Sequence, residues 1–191
     1  MTGEQAEGLG KQFVAAATLA RALDQEFSPA ELSAPPFPGA WSAADNLAHL
    51  TLTSQAFIPR MSRTLAKLAE AAHRTDRTSA PDWVGRLYAW ALEPPVRFRV
   101  RAPRPFVPTV GAAAAEALPA FLAEQDRILD LVSQSVGLDL AARKVPSPVS
   151  RYVGHNVCAA FHIAAAHQRR HLWQARRAAL AARETGGTSS R

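Results

Sequence analysis

Apolar residues return at three- and four-residue steps in four long stretches of the chain, and each stretch predicts an amphipathic helix. In the first, from about Glu4 to Phe27, Leu9, Phe13, Ala16, Ala17, Ala20, Leu23 and Phe27 share one face. Ser28-Pro29-Ala30-Glu31 follows as a capping box with proline at its first helical position. It predicts a short helical turn before Pro35-Pro36-Phe37-Pro38-Gly39 breaks the pattern. The second long helix starts after Trp41, with Ser42 as N-cap and Asp45 as the acid that returns a hydrogen bond. Its pattern runs to about Arg74, with a kink predicted at Pro59, because proline removes a backbone donor and crowds the preceding turn.

Pro81-Asp82-Trp83 predicts the start of a short helix that ends near Leu92. Five prolines between Glu93 and Pro108 then exclude a continuous helix, so this segment reads as an extended crossover, with Phe98 and Val100 packed inward. A connection of that length allows the two long helices it joins to run parallel. The third long helix is predicted from near Leu118, with Pro119 in its first turn, to Gly137 as the glycine after its end. Asp139 to Arg151 reads as loop, and the fourth long helix as about Val153 to Arg183. The fold class is therefore all-α, a four-helix bundle with a long crossover between helices two and three. One domain spans residues 1–184, and 185–191, Thr-Gly-Gly-Thr-Ser-Ser-Arg, is expected to be a disordered tail.

Composition narrows this picture only in places. A chain of 191 residues with no linker is one domain's worth, and its glycine is sparse inside the periodic segments. The net charge of +6 suits an anionic small molecule, a nucleic acid or plain solubility, and does not choose among them. Met1-Thr-Gly-Glu-Gln-Ala-Glu has neither the basic nor the apolar region of a signal peptide, and no membrane-length apolar run occurs, so a cytoplasmic protein without membrane contact is expected. A single cysteine, Cys158, excludes an internal disulfide and any multi-cysteine zinc site. No G-x-S-x-G, P-loop or G-x-G-x-x-G is present, which leaves serine-hydrolase and nucleotide chemistry without support.

The chemistry resides in the histidines. His167 and His171 stand four apart on the fourth helix, about 40° apart around its axis, so both rings can grip one cation. By the same count His162 and His155 lie about 140° and about 120° away, and Cys158 about 180°, outside that face. His73 lies among charged residues near a helix end and reads as solvated surface. A metal needs a third ligand, and the best candidate is His49, in the second turn of a well-capped helix. Asp45 lies one turn before His49, and Asn156 and Gln174 share the His167–His171 stripe, so each is a candidate to orient a ligand ring. Position 168 is glutamine, so the glutamate base of a metalloprotease is missing. Arg97, Arg99, Arg101 and Arg104 on the crossover form either a solvated edge or a rim that attracts anions to the site.

Trp41-Ser42 followed by His49-Leu50, together with His167-Gln-Arg-Arg-His171-Leu-Trp-Gln174, resembles the DinB/YfiT-like putative metalloenzymes, and the order of helices and the long crossover extend the likeness over most of the chain. The resemblance implies a bundle with a metal triad of His49, His167 and His171, and a homodimer. Members with an assigned activity look like S-transferases that use bacillithiol, mycothiol or glutathione. The expectation is a metal-dependent enzyme, with zinc or nickel and a low-molecular-weight thiol as cofactors and a small electrophile as substrate. The alternatives are a non-catalytic metal- or small-ligand-binding bundle and a metal-dependent hydrolase. Nucleic-acid binding rests on net charge, the crossover arginines and Arg169, Arg170, Arg176 and Arg177, without a reading helix or aromatic platform to support it.

Overall fold

The computed structural model describes residues 1–98, 101–109, 111–148 and 153–188, with side chains described as far as residue 185. Its helices are α1 (Gly3–Glu26), α2 (Pro29–Ser33), α3 (Ala43–Glu70), α4 (Trp83–Leu92), α5 (Ala114–Gln134) and α6 (Val157–Thr188). A hairpin of β1 (Lys144–Pro146) and β2 (Gly154–Asn156) precedes α6, paired antiparallel with Val145 opposite His155. The local chemistry sets the starts. Thr2, Ser28, Ser42 and Asp82 each accept a backbone N–H from the first turn they cap, and at Ser28 and Ser42 the return bond from Glu31 or Asp45 completes a capping box.

The four long helices, α1, α3, α5 and α6, form the bundle: α3 packs on α5 and α6, and α1 packs on the same two. Their directions follow from what meets at one end. The Met1 ammonium donates to Leu138 O, Gly137 N to Met1 O, and Arg74 bridges Leu138, while Val157 N donates to Leu140 O. So α3 and α5 finish where α1 and α6 begin, and the two helices joined by the crossover run parallel. Gly137, with φ +78°, makes the left-handed turn after α5 that a side chain would strain. In the half near this end, Phe13, Met61, Leu65, Leu68 and Phe161 are packed together. In the other half the core is rich in alanine, with Ala16, Ala20, Ala43, Ala44, Ala175 and Ala179 around Leu47, Leu50 and Phe121, which brings the helix axes close. The short α4 lies on α6 at Gly85, where an added Cβ would stand 2.4 Å from that of Ala159.

Several boundaries differ from the expected ones. Helix α3 continues through Pro59, as expected, but ends at Glu70, short of Arg74; α5 begins at Ala114, which leaves Pro119 inside its second turn. The segment expected as loop from Asp139 to Arg151 contains β1, and the start expected for the fourth helix near Val153 is instead β2. Of the tail expected to be disordered, 185–188 continues α6 and 189–191 lies outside the described residues. Among the described residues of the crossover the regular element is one 3₁₀ turn, Arg104–Phe106. Phe98 is exposed rather than packed inward; Arg99 and Val100 lie outside the described residues. No described helix is long and apolar enough to cross a membrane.

Candidate metal centre

The helix start at Ser42 delivers the first histidine. Ser42 Oγ accepts Asp45 N at 3.0 Å and Asp45 Oδ2 accepts Ser42 N at 2.9 Å, which fixes the first turn of α3 and sets the direction of His49 one turn later. From the other side, α6 presents His167 and His171 one turn apart. The three rings meet: their centroids are 4.4 Å apart for His49–His171, 4.6 Å for His167–His171 and 5.1 Å for His49–His167. One ligand nitrogen from each lies within 4.8 Å of the others. His49 Nε2 and His167 Nε2 are 3.2 Å apart, close to the edge of about 3.3 Å in a tetrahedron with metal–nitrogen bonds of about 2.0–2.1 Å.

Two rings are aimed by bonds on their far sides. His49 Nδ1–H donates to Phe106 O at 2.6 Å, and His171 Nδ1–H donates to Asn46 Oδ1 at 2.9 Å. Each bond places the proton on Nδ1 and leaves the Nε2 lone pair for the cluster. Asn46 is itself held, its amide donating to Ser42 O at 2.8 Å. Trp41 closes one side, its ring 4.9 Å from that of His49 and 6.0 Å from that of His171. His49 is 3% exposed and His171 9%, and His167 is half-buried, so the cluster lies within the bundle.

Charge explains why the rings are neutral. Desolvation by burial is the largest influence on each and disfavours the imidazolium. It holds His49 below the ordinary histidine value despite the Phe106 carbonyl, which acts the other way. At His167 burial, His49 and Arg170 together push the pKa down to about 3, and His171 lies well below the ordinary value for the same reasons, with His167 as an added neighbour. Neutral imidazole is the form in which histidine binds a metal ion, and with one ligand nitrogen of each ring within 4.8 Å of the others the donor set fits a divalent metal ion.

The other candidate residues have different work. Asp45 Oδ1 accepts Gly111 N at 3.1 Å and Ala112 N at 3.2 Å, so its carboxylate fastens the end of the crossover to the start of α3 and does not bond a histidine ring. Asn156 lies in β2 and caps α6: its Oδ1 accepts Ala159 N at 2.8 Å while its amide donates to Ala80 O at 2.9 Å. Gln174 is half-buried and has no side-chain hydrogen bond among the described residues. Arg97 donates to Trp90 O at 3.0 Å and lies 4.8 Å over that ring, folded back on α4; Arg101 and Arg104 are exposed, and Arg99 is not among the described residues.

What the crossover brings to the site is backbone: Phe106 O for His49, and Phe98 O, which accepts Arg170 Nη2 at 2.6 Å. Asn46 and the Phe106 carbonyl were not among the candidates; Asn46 had a signal, three residues before His49 on the same helix, and the carbonyl had none. His155, counted on the helix by spacing, is in β2 with Nδ1 3.4 Å from Asp82 Oδ1. Cys158 is buried, donates to Ser79 O at 3.2 Å and is pushed up to about 11 by burial, far from the thiolate form.

No curated protein and no solved structure matches the chain. A sequence model of the DinB superfamily matches residues 12–175, a span that holds α3, the crossover and all three histidines. With that match over most of its length, the chain belongs to the DinB superfamily.

Proposed function

We propose that the chain is a metal-dependent enzyme in which His49, His167 and His171 hold zinc or nickel, and that it joins a low-molecular-weight thiol to a small electrophile. The observation that carries this reading is the convergence of three ligand nitrogens within 4.8 Å of one another, on imidazoles that burial keeps neutral. A divalent ion held by three uncharged ligands keeps its full charge and lowers the pKa of a thiol placed in the remaining position. The chain's own residues contribute orientation and charge. Phe106 O and Asn46 fix two rings, Trp41 excludes water from one side, and the buried Arg170 adds a positive charge felt at His167 and His171, which favours an anionic sulfur nearby. The product carries a new sulfur–carbon bond, and the electrophile's leaving group departs with its electron pair. A homodimer would fit the same reading.

Elemental analysis of protein purified without a histidine tag or added metal tests the site. About one ion per chain is expected, and none in His167→Ala or His49→Ala. Metal retained in both variants would show that the triad is not the site. The reaction is tested by offering bacillithiol, mycothiol and glutathione with generic electrophiles. A rate that chelation abolishes and zinc or nickel restores is the expected result; metal bound without such a rate would favour a bundle that holds an ion or ligand without catalysis.

A further inference from the structure

A cleft of about 480 Å³ opens between the second half of α3 and the turn that enters β1. Arg60, Arg63 and Lys67 line one wall and Arg143 and Lys144 the other. Arg60 follows His49 by eleven positions, about 16 Å along the helix axis, so this is a separate place from the histidine cluster.

The charge is one-sided: among the described residues, five cationic side chains and no carboxylate line the cleft. Four arginines outside the cleft are ion-paired, Arg127–Glu124, Arg169–Glu93, Arg176–Glu26 and Arg183–Glu31. None of the five forms an ion pair among the described residues. Arg60, Arg63 and Lys67 fall at i, i+3 and i+7, one stripe of α3, where like charges cost the helix a few tenths of a kcal/mol per pair. Arg143 and Lys144 add like charge from the facing wall instead of relieving it. Arg60 is also steered, its Nη1 donating to Ala56 O at 2.6 Å, while Arg63, Lys67, Arg143 and Lys144 are exposed. A concave wall focuses such a field, and guanidinium forks match the oxygen pairs of phosphate. The volume lies in the range of about 300–1,000 Å³ that small ligands occupy.

We propose that this cleft binds a small soluble compound bearing a di- or triphosphate group. Pyrophosphate is the probe, titrated calorimetrically into the full chain at physiological salt, with binding expected at a sub-millimolar dissociation constant. Arg63→Glu/Lys67→Glu should weaken it at least tenfold, leave the melting temperature of the unliganded protein equal or higher, and leave metal content at the histidines unchanged. Arg77→Glu/Arg86→Glu, which alters net charge equally at exposed positions outside the cleft, should change binding less than threefold. Equal losses in the two variants would reduce the effect to net charge and overturn the proposal, as would failure of pyrophosphate to bind. Capture of the protein by vesicles containing phosphatidylinositol phosphates, without pyrophosphate binding, would assign the charge to a lipid headgroup and overturn it too.

Discussion

At the scale of single residues, the groups that aim the histidines matter as much as the histidines. Asn46 holds His171 by its oxygen and is itself held by Ser42 O through its nitrogen, so Asn46→Ala frees a ring without removing a ligand. Metal affinity is expected to fall about 10–100-fold with metal stoichiometry still one at saturation, as competition with a chromophoric chelator would measure. Asn46→Asp keeps the acceptor and should lose less. The candidate that spacing suggested was its neighbour Asp45, and the difference is geometric: position three of the helix points back at the N-cap, position four across at α6. The His167–His171 pair was legible because imidazoles four apart on a helix must share a face; His49 came from its place on a capped helix and from the family resemblance. The Phe106 carbonyl was not legible, because every residue has one, and only the folded crossover brings it to 2.6 Å from His49. A second residue-scale feature had no sequence signal. Gln125 is 1% exposed in the core, and neither its amide oxygen nor its nitrogen has a partner among the described residues. Unpaired buried polar atoms cost about 1–3 kcal/mol, so Gln125→Leu should raise stability by about that amount in urea unfolding.

At the scale of elements, the start of α3 is where fold and site are coupled. Ser42→Ala removes one cap bond and should cost about 1 kcal/mol. Asp45→Ala removes the return bond and also the two bonds that tie Gly111 and Ala112 to the helix, at a position 1% exposed. It should cost about 2–4 kcal/mol by the sum of such bonds, and it should also weaken metal binding, because the crossover it anchors carries Phe106. Chemical unfolding and chelator competition on the two variants separate these effects; Asp45→Ala losing no more than Ser42→Ala would show that the crossover is held by other contacts. The same element explains why helices were more legible than their limits. Seven residues of periodic pattern announce a helix, and the Ser42 and Ser28 boxes announce its first turn. The hairpin of β1 and β2 is three residues a side, too short for alternation to show, and it occupies the stretch where the fourth helix was expected to begin. At Pro59 the chain stays helical because the apolar stripe of Ile58, Met61 and Leu65 is buried on both sides of it, which outweighs one lost backbone bond.

At the scale of the molecule, folding converts four histidines from groups that protonate near pH 6.5 into groups that resist protonation. His49, His162, His167 and His171 are all held below the ordinary value, chiefly by burial, and His167 is pushed to about 3. The sign follows from which state binds more protons. Below about pH 6.5 the unfolded chain takes them up and the folded chain does not, so stability is fully present above that pH. It falls as pH drops, by up to about 1.4 kcal/mol per pH unit for each such ring, and for His167 the fall continues until about pH 3. Carboxylates interfere little between pH 7 and 5, so this window isolates the histidines. A metal ion held by the three rings would add to the same slope, because it would bind only neutral rings and only the folded state: at a free concentration of about 100 times its dissociation constant it would stabilise by about 2.7 kcal/mol. Thermal unfolding of metal-free protein should therefore shift downward from pH 7 to pH 5, and the added increment from zinc should shrink over the same interval. His49→Ala/His167→Ala should flatten the first dependence and erase the second. A melting temperature that stays level between pH 7 and 5 in the metal-free protein would mean that the rings remain hydrated and open to protons in the fold, and the neutral cluster on which metal binding depends would not exist.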